Sequence, residues 1–260
     1  MNKTFASSIT ISLVLFLALL VSPLVSPAGA ADLKVISAGA VRAIIAGMIE
    51  EYSKQTGHKF DFTVGTTGQL RDAIASGQHA DLIITSAPLM GEIEKTGKLV
   101  PGSRTDLGRV GMGVVVREGA PVPDLSTPEA LKQLLINAKS IAYTDPKLRG
   151  TSVIQLMKIA DSFGITDIVT KKGVLATGGD DAAEKVAHGQ AEIAVIIISE
   201  VVKGAKLAAL LPGDTQLWTV YASAIPASSK EPAHARAFIN ALTSPAMAPR
   251  WTTGGFEPPK

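Results

Sequence analysis

The sequence runs to 260 residues, with 25 Lys and Arg against 23 Asp and Glu, a formal net charge of +2 at pH 7, and no cysteine. That balance implies no polybasic surface and no strong nucleic-acid footprint. The missing cysteine excludes a disulfide framework, a thiolate nucleophile and a cysteine metal site.

At the N-terminus, Lys3 precedes an apolar run from Ile9 to Val21 and then small residues ending in Ala28-Gly29-Ala30. This order predicts a secretory signal peptide over residues 1–30, cleaved at an A-x-A site so that the mature chain starts at Ala31. A transmembrane anchor needs about 20 apolar residues, more than this run supplies. Cleavage removes one lysine and no acid, which lowers the net charge by one. The remaining chain of about 230 residues suits one large domain or two small lobes. No later stretch reaches membrane-span length and there is no cysteine to carry a lipid anchor. The expected compartment is therefore the periplasm.

Strand-like runs then alternate with helical patterns: Leu33 to Ser37 before Val41 to Thr56, Lys59 to Val64 before Gln69 to Ser76, and Leu82 to Thr85 before Leu89 to Thr96. Such alternation predicts βαβ units on a parallel sheet. Val110 to Val116 reads as the next strand. After a proline-bearing loop, a second series predicts helices at Pro128 to Asn137, Ser152 to Phe163 and Asp181 to His188, with strands at Ser140 to Tyr143 and Ile193 to Ile197. A β-like stretch, Gln216 to Ile225, leads into helices at Glu231 to Leu242 and Pro245 to Trp251. Ala73 to Ala87 and Lys185 to Ser199 both run helix end, Gly-Gln, acidic residue, buried strand. Gly77 and Gly189 sit where a left-handed C-cap is wanted. The echo reads either as convergence or as two similar α/β lobes facing each other.

Enzyme motifs are absent. His58, His79, His188 and His234 lie far apart and none has the pairing of a zinc motif. No G-x-S-x-G elbow, P-loop or dinucleotide-binding glycine pattern occurs, so no catalytic residue, metal or cofactor is assigned.

What recurs is a small, hydroxyl-rich turn between strand and helix: Ser37-Ala38-Gly39-Ala40, Gly65-Thr66-Thr67-Gly68, Thr85-Ser86-Ala87-Pro88 and Arg149-Gly150-Thr151-Ser152. In open parallel sheets these turns form one rim, where ligands bind. Each helix start offers unpaired N–H groups and the positive end of its dipole. Hydroxyls add neutral donors, and glycine lets backbone approach the ligand. Together they describe a cage for a small anion, although Thr67 or Ser152 taken alone serves equally well as an N-cap. Arg42, in the first turn of a helix, and Arg149, just before another, oppose the dipole. Their placement points to an anionic partner unless both are solvated surface groups.

The stretches KVISAGAV, GTTGQLRDAIASGQHADLIITSA, IAYTDPKLRGTS and AEIAVIIISEV occur in this order. Through them the chain resembles the type II periplasmic solute-binding proteins, in particular their molybdate-binding branch. The resemblance implies an α/β fold of two lobes, each a parallel-rich sheet flanked by helices, with the ligand cleft between them. Lobe one would be residues 32–109 plus 222–260 and lobe two residues 110–221, with crossings near Gly108 to Gly113 and Trp218 to Ala222. It further implies a monomeric protein that closes on a small anionic ligand and delivers it to an inner-membrane ABC permease.

By the same resemblance, molybdate binders take a serine hydroxyl from the first turn, matched here by Ala40. The second turn gives another, matched by Thr67, and the third a backbone N–H, matched by Ser86. The second lobe gives backbone donors from the loop matching Lys147 to Ser152 and from around Asp181, and a tyrosine hydroxyl matched by Ile197. Two of the three side-chain hydroxyls are thus missing, and each donor lost to a buried oxyanion costs about 1–3 kcal/mol. Arg42 and Arg149 are additional to that set and suit a carboxylate or phosphonate. The expected ligand is an organic carboxylate ahead of molybdate or tungstate, bound without reaction. Two other readings stay open. One is an enzyme on the same fold, with Asp145 or Asp180 as base, although Asp145 is equally a turn former before Pro146. The other is the effector-sensing domain of a transcription regulator, against which the signal peptide counts.

Overall fold

The computed structural model describes residues 29–259, so the predicted signal peptide lies outside the described residues except for its last two. Strand β1 (Asp32–Ala38) passes through a 3-10 turn (Gly39–Val41) into α1 (Arg42–Thr56). There follow β2 (Lys59–Gly65), α2 (Thr67–Ala75), β3 (Leu82–Ser86), α3 (Ala87–Lys95), β4 (Thr105–Val110) and β5 (Met112–Arg117). The second series comprises α4 (Pro128–Asn137), β6 (Ile141–Thr144), α5 (Thr151–Ser162), α6 (Thr166–Lys171), β7 (Gly173–Ala176), α7 (Gly179–Ala187), β8 (Ile193–Ile197) and β9 (Ala205–Leu210). The chain ends with β10 (Thr219–Ala224), α8 (Pro232–Leu242) and α9 (Ala248–Thr253).

The strands form two five-stranded sheets, ordered β2-β1-β3-β10-β4 and β7-β6-β8-β5-β9. In each, the first three strands are parallel and the last two join antiparallel. The fourth strand of each sheet arrives from the other: β5 follows β4 across Gly111, and β10 follows β9 across residues 211–218. Strands β3 and β8 hold the same place in their sheets, and both are buried along their whole length. Strands covered on both faces become continuous apolar runs, which is why these two were easy to read. The repeated Gly-Gln segments end on them, with Gly77 and Gly189 left-handed at φ 79° and 72°.

Three features differ from the sequence expectation. Val110 to Val116 is not one strand: Val110 ends β4 in the first sheet and Met112 begins β5 in the second. Both halves are apolar and buried, so periodicity gives no sign of the break at Gly111. Elements α6, β7 and β9 are additional; they are short, and β7 and β9 are mostly half-buried edge strands with little apolar contrast. Strand β10 starts at Thr219 and lies wholly in the first sheet, three residues before the boundary expected from the sequence.

Packing fixes the first sheet to its helices through an aromatic cluster in which Phe238 of α8 meets Tyr52 at 5.2 Å and Phe60 at 4.8 Å between ring centroids. The Asp81 carboxylate, at the foot of β3, ties this unit together. It accepts hydrogen bonds from the Lys34 N–H, the Ser229 hydroxyl and the Lys230 N–H, each at 2.9 Å. Burial opposes its ionisation, but these bonds and nearby His79 outweigh burial and hold its pKa below the usual carboxylate range. The two crossings are stitched to each other. The Gln216 amide accepts from the Met112 N–H at 2.9 Å and donates to the Met112 carbonyl at 3.0 Å.

Candidate functional site

The C-terminal ends of β1, β2, β6, β7 and β8 open on one cleft of about 590 Å³ between the sheets. The first-sheet wall carries Gly39, Ala40 and Arg42 after β1, Thr66 and Thr67 after β2, and Tyr221 from β10. The opposite wall carries Thr144, the turn Gly150 to Ser152, the turn Thr177 to Asp180, and Ile197 with Glu200 after β8. Three helices, α2, α5 and α7, begin here, so their unpaired N–H groups and positive dipole ends border the same space.

Neighbouring threonines take different roles. Thr66 is the N-cap of α2: its hydroxyl accepts from the Gln69 N–H at 3.2 Å, and the Gln69 side chain accepts from the Thr66 N–H at 2.8 Å, a complete capping box. Thr67 is the first helical residue, which leaves its hydroxyl free of capping duty. It meets the hydroxyl of Thr151, the first residue of α5, at 2.8 Å across the cleft.

Other bonds cross in the same way. The Thr66 hydroxyl donates to the Leu148 carbonyl, and the Ser199 hydroxyl donates to the Ala40 carbonyl at 2.7 Å. Arg42 pairs with Asp180, and Arg149 with Asp72. The two walls are therefore held closed. Gly68 permits the approach: a Cβ there would lie 2.5 Å from the Leu148 carbonyl oxygen and 2.7 Å from the Arg149 Cβ.

Of the residues expected from the sequence, Gly39, Ala40, Arg42, Thr66, Thr67, Thr151, Ser152 and Ile197 line the cleft, and Ser86, Arg149 and Asp181 do not. Ser86 is buried at the end of β3, opposite Tyr221 in the strand register. Arg149 adopts a left-handed backbone, φ 50°, and its guanidinium goes to Asp72 at the rim. Asp181 turns back to accept from the Thr177 N–H at 2.8 Å and from Lys185 at 2.5 Å. Burial opposes its ionisation, but these bonds outweigh burial and keep its pKa below the usual carboxylate range. Among the described residues no group of three His, Asp or Glu converges to hold a metal.

Sequence reasoning missed Glu200 and Tyr221. Glu200 as a whole residue keeps partial exposure to the cleft. Its carboxyl head, however, is enclosed between two glycine turns: a Cβ on Gly39 would sit 2.8 Å from Oε1, and one on Gly179 would overlap the carboxyl. The position of the head governs ionisation. Burial, then the charge of Asp180, raise its pKa to about 8 against partial opposition from the Gly179 and Ile197 N–H groups. Tyr221, 2% exposed, has its phenol pushed well above the usual range by burial and then by Glu200. The signal in the sequence was an acid three residues after the buried strand Ile193–Ile197, on a rim already inferred to bind.

The electrostatic result is a cleft with little net positive charge. Arg42 is offset by Asp180, Glu200 is neutral over most of the range below pH 8, and the remaining attraction for an anion comes from helix ends and hydroxyls.

This arrangement of two crossed-over lobes around a cleft has known counterparts. A family model for bacterial extracellular solute-binding proteins matches residues 33–257. The chain belongs to this family. It is 29% identical over 244 residues to a Pseudomonas protein named aconitate isomerase, covering 91% of this chain and 92% of that one. It is 27% identical over 231 residues to the molybdate-binding protein ModA of Azotobacter vinelandii, covering 84% and 86%. Among solved structures, an Azotobacter vinelandii periplasmic molybdate-binding protein superposes with a TM-score of 0.73 at 20% identity, over 88% of this chain and all of that one. The fold is thus the two-lobe periplasmic binding protein fold, and the family is one of transport binding proteins that includes a relative named as an enzyme.

Proposed function

We propose that the protein is the periplasmic, monomeric binding component of an ABC importer, capturing a small organic polycarboxylate between its lobes and passing it to an inner-membrane permease. The observation that carries this reading is the cleft of about 590 Å³ between two walls of helix starts and hydroxyls. That volume falls within the range of about 300–1,000 Å³ usual for organic ligands and exceeds what a five-atom oxyanion fills. Ala40 and Ile197 offer only alkyl groups where a tetrahedral oxyanion wants hydroxyls, at about 1–3 kcal/mol per missing donor. The donors that remain, at Thr67, Thr151, Ser152, Tyr221 and the three helix ends, are spread over both walls. Such spacing suits several carboxylates better than one compact ion. The lobes hinge at Gly111 and within residues 211–218, and ligand contacts with both walls favour the closed state.

A thermal-shift series with molybdate, tungstate, and di- and tricarboxylates tests this reading. A ligand at a hundredfold excess over Kd stabilises the native state by about 2.7 kcal/mol, a rise of roughly 5–10 °C in Tm for a chain of this size. Stabilisation by molybdate with none by any carboxylate refutes the assignment.

A second reading is favoured by the enclosed Glu200 carboxyl together with the relative named aconitate isomerase. In it the bound ligand is an unsaturated tricarboxylate, as aconitate is, and is isomerised within the closed cleft.

A further inference from the structure

We propose that the Glu200 carboxyl is the acid–base group of this cleft, taking a proton from one carbon of a bound unsaturated polycarboxylate and returning it two carbons away. The inference rests on the second reading above and names the residue that performs it.

The geometry supports a built position rather than an incidental acid. Glu200 ends the 3-10 turn Ile198–Glu200 that follows β8, lines the cleft, and has its head received by Gly39 on one wall and Gly179 on the other. Neither glycine has a left-handed backbone that would explain it; the space beside Glu200 does. A site that only bound an anion would be served better by an amide, which donates without ever repelling the ligand. A carboxyl there can in addition exchange its proton with the ligand, which an amide cannot do.

The charged and titratable groups facing it are Asp180 at the start of α7, Arg42 at the start of α1 and Tyr221 on β10. The 3-10 turn at Gly39–Val41 brings no such group. Arg42 is engaged by Asp180, so it does not lock Glu200 in the ionised form. With its pKa near 8, Glu200 has both protonation states within reach at physiological pH, as a proton-transfer group requires.

The step balances without any oxidant or cofactor. The Glu200 carboxylate takes a proton from the saturated carbon that lies between a carboxylate and the double bond. The C–H electron pair becomes the new double bond, and the former π pair moves to the far alkene carbon, where the attached carboxylate spreads the charge. That carbon then takes the proton from the Glu200 carboxyl. One C–H bond breaks, one forms, the double bond shifts by one position, and Glu200 is restored. Tyr221, kept as a neutral phenol, is placed to donate a hydrogen bond to the carboxylate on which charge accumulates.

The experiment follows the mature protein with each geometric isomer of aconitate by proton NMR in deuterium oxide, with calorimetric Kd values measured in parallel. The expected result is interconversion with deuterium entering the migrating position. Glu200→Gln should bind within about threefold of wild type yet lose roughly a hundred- to ten-thousand-fold in rate, the span typical of acid–base groups. The wild-type kcat/KM, which follows ionisation of the free enzyme, should rise with pH to a plateau above about 8. If Glu200→Gln fails to fold, Glu200→Asp, which withdraws the carboxylate by one methylene, should lower kcat at least tenfold with Kd kept. Interconversion that survives either folded variant within about threefold, or lacks the rise towards pH 8, overturns the role of Glu200 and leaves the isomerase reading standing. Tight binding of aconitate by wild type with neither interconversion nor deuterium exchange overturns both and leaves the receptor reading intact.

Discussion

Replacing Glu200 with Gln removes an acid that folding drives towards its neutral form, and the consequence is measurable without any ligand. The carboxyl titrates near 4.5 when unperturbed and at about 8 in the folded protein. Because the folded value is the higher one, the folded chain holds the proton more tightly than the unfolded chain between those limits. The associated stability is complete below about pH 4.5 and is lost as pH rises to about 8. At about 1.4 kcal/mol per pH unit, the whole interval amounts to at most about 5 kcal/mol. Partial exposure of the residue to the cleft screens this, so roughly half, about 2–3 kcal/mol, is expected. Gln stays neutral throughout and carries no such slope. Urea unfolding of both proteins from pH 5 to pH 8, analysed by linear extrapolation, gives the difference directly, and subtraction cancels all other titrating groups. Wild type should lose about 2–3 kcal/mol relative to the variant across that range. Parallel curves, agreeing within about 0.5 kcal/mol at every pH, refute an enclosed carboxyl at this position.

Other perturbations separate the site from its scaffold. Asp81→Ala should cost about 3 kcal/mol or more, since it orphans the N–H groups of Lys34 and Lys230 at a position 1% exposed. Its contribution has the opposite pH sign to that of Glu200: a lowered folded value gives stability present at neutral pH and lost on acidification, checked by unfolding at pH 3 to 7. Gly68→Ala should leave Tm of the free protein nearly unchanged while weakening ligand affinity at least tenfold by calorimetry, because the clash with Leu148 and Arg149 arises only on closure. Arg42→Ala should weaken polycarboxylate binding about tenfold by leaving Asp180 unpaired in the cleft; adding Asp180→Asn should restore part of the loss. Arg149→Ala should change affinity by less than about fivefold, the worth of an exposed ion pair at the rim.

The legible part of this protein was the part written in local sequence. Runs such as Leu82–Ser86 and Ile193–Ile197 are apolar because both faces of a central strand are covered, and turns such as Gly65 to Gly68 declare a helix start through their own hydroxyls. Thr66 and Thr67 could both be named from that pattern. Which of them caps and which faces the opposite lobe could not, since the choice is made by Leu148 and Thr151, more than eighty residues away. Arg149 shows the same limit from the other side. Its place before a helix suggested an anion partner, and the partner in the fold is the Asp72 carboxylate of α2. The break at Gly111 is invisible for a different reason: both sheets bury the residues beside it, so hydrophobicity is continuous where topology is not.

Glu200 is the sharpest case, because what distinguishes it is carried by other residues. Gly39 follows β1 and Gly179 opens α7, and each reads alone as an ordinary turn glycine; only the crossing of the chain between sheets brings them to either side of one carboxyl. Asp180 then adds a negative charge that opposes ionisation, and in turn takes up Arg42, the cation that would otherwise relieve it. Closure of the lobes and the ionisation of Glu200 are therefore linked: the Arg42–Asp180 bond that holds the cleft shut also leaves the acid without a counter-charge. Opening the lobes admits water to the carboxyl, which favours its ionised form, and carries Arg42 away from Asp180, which leaves an unpaired negative charge beside Glu200 and opposes that form.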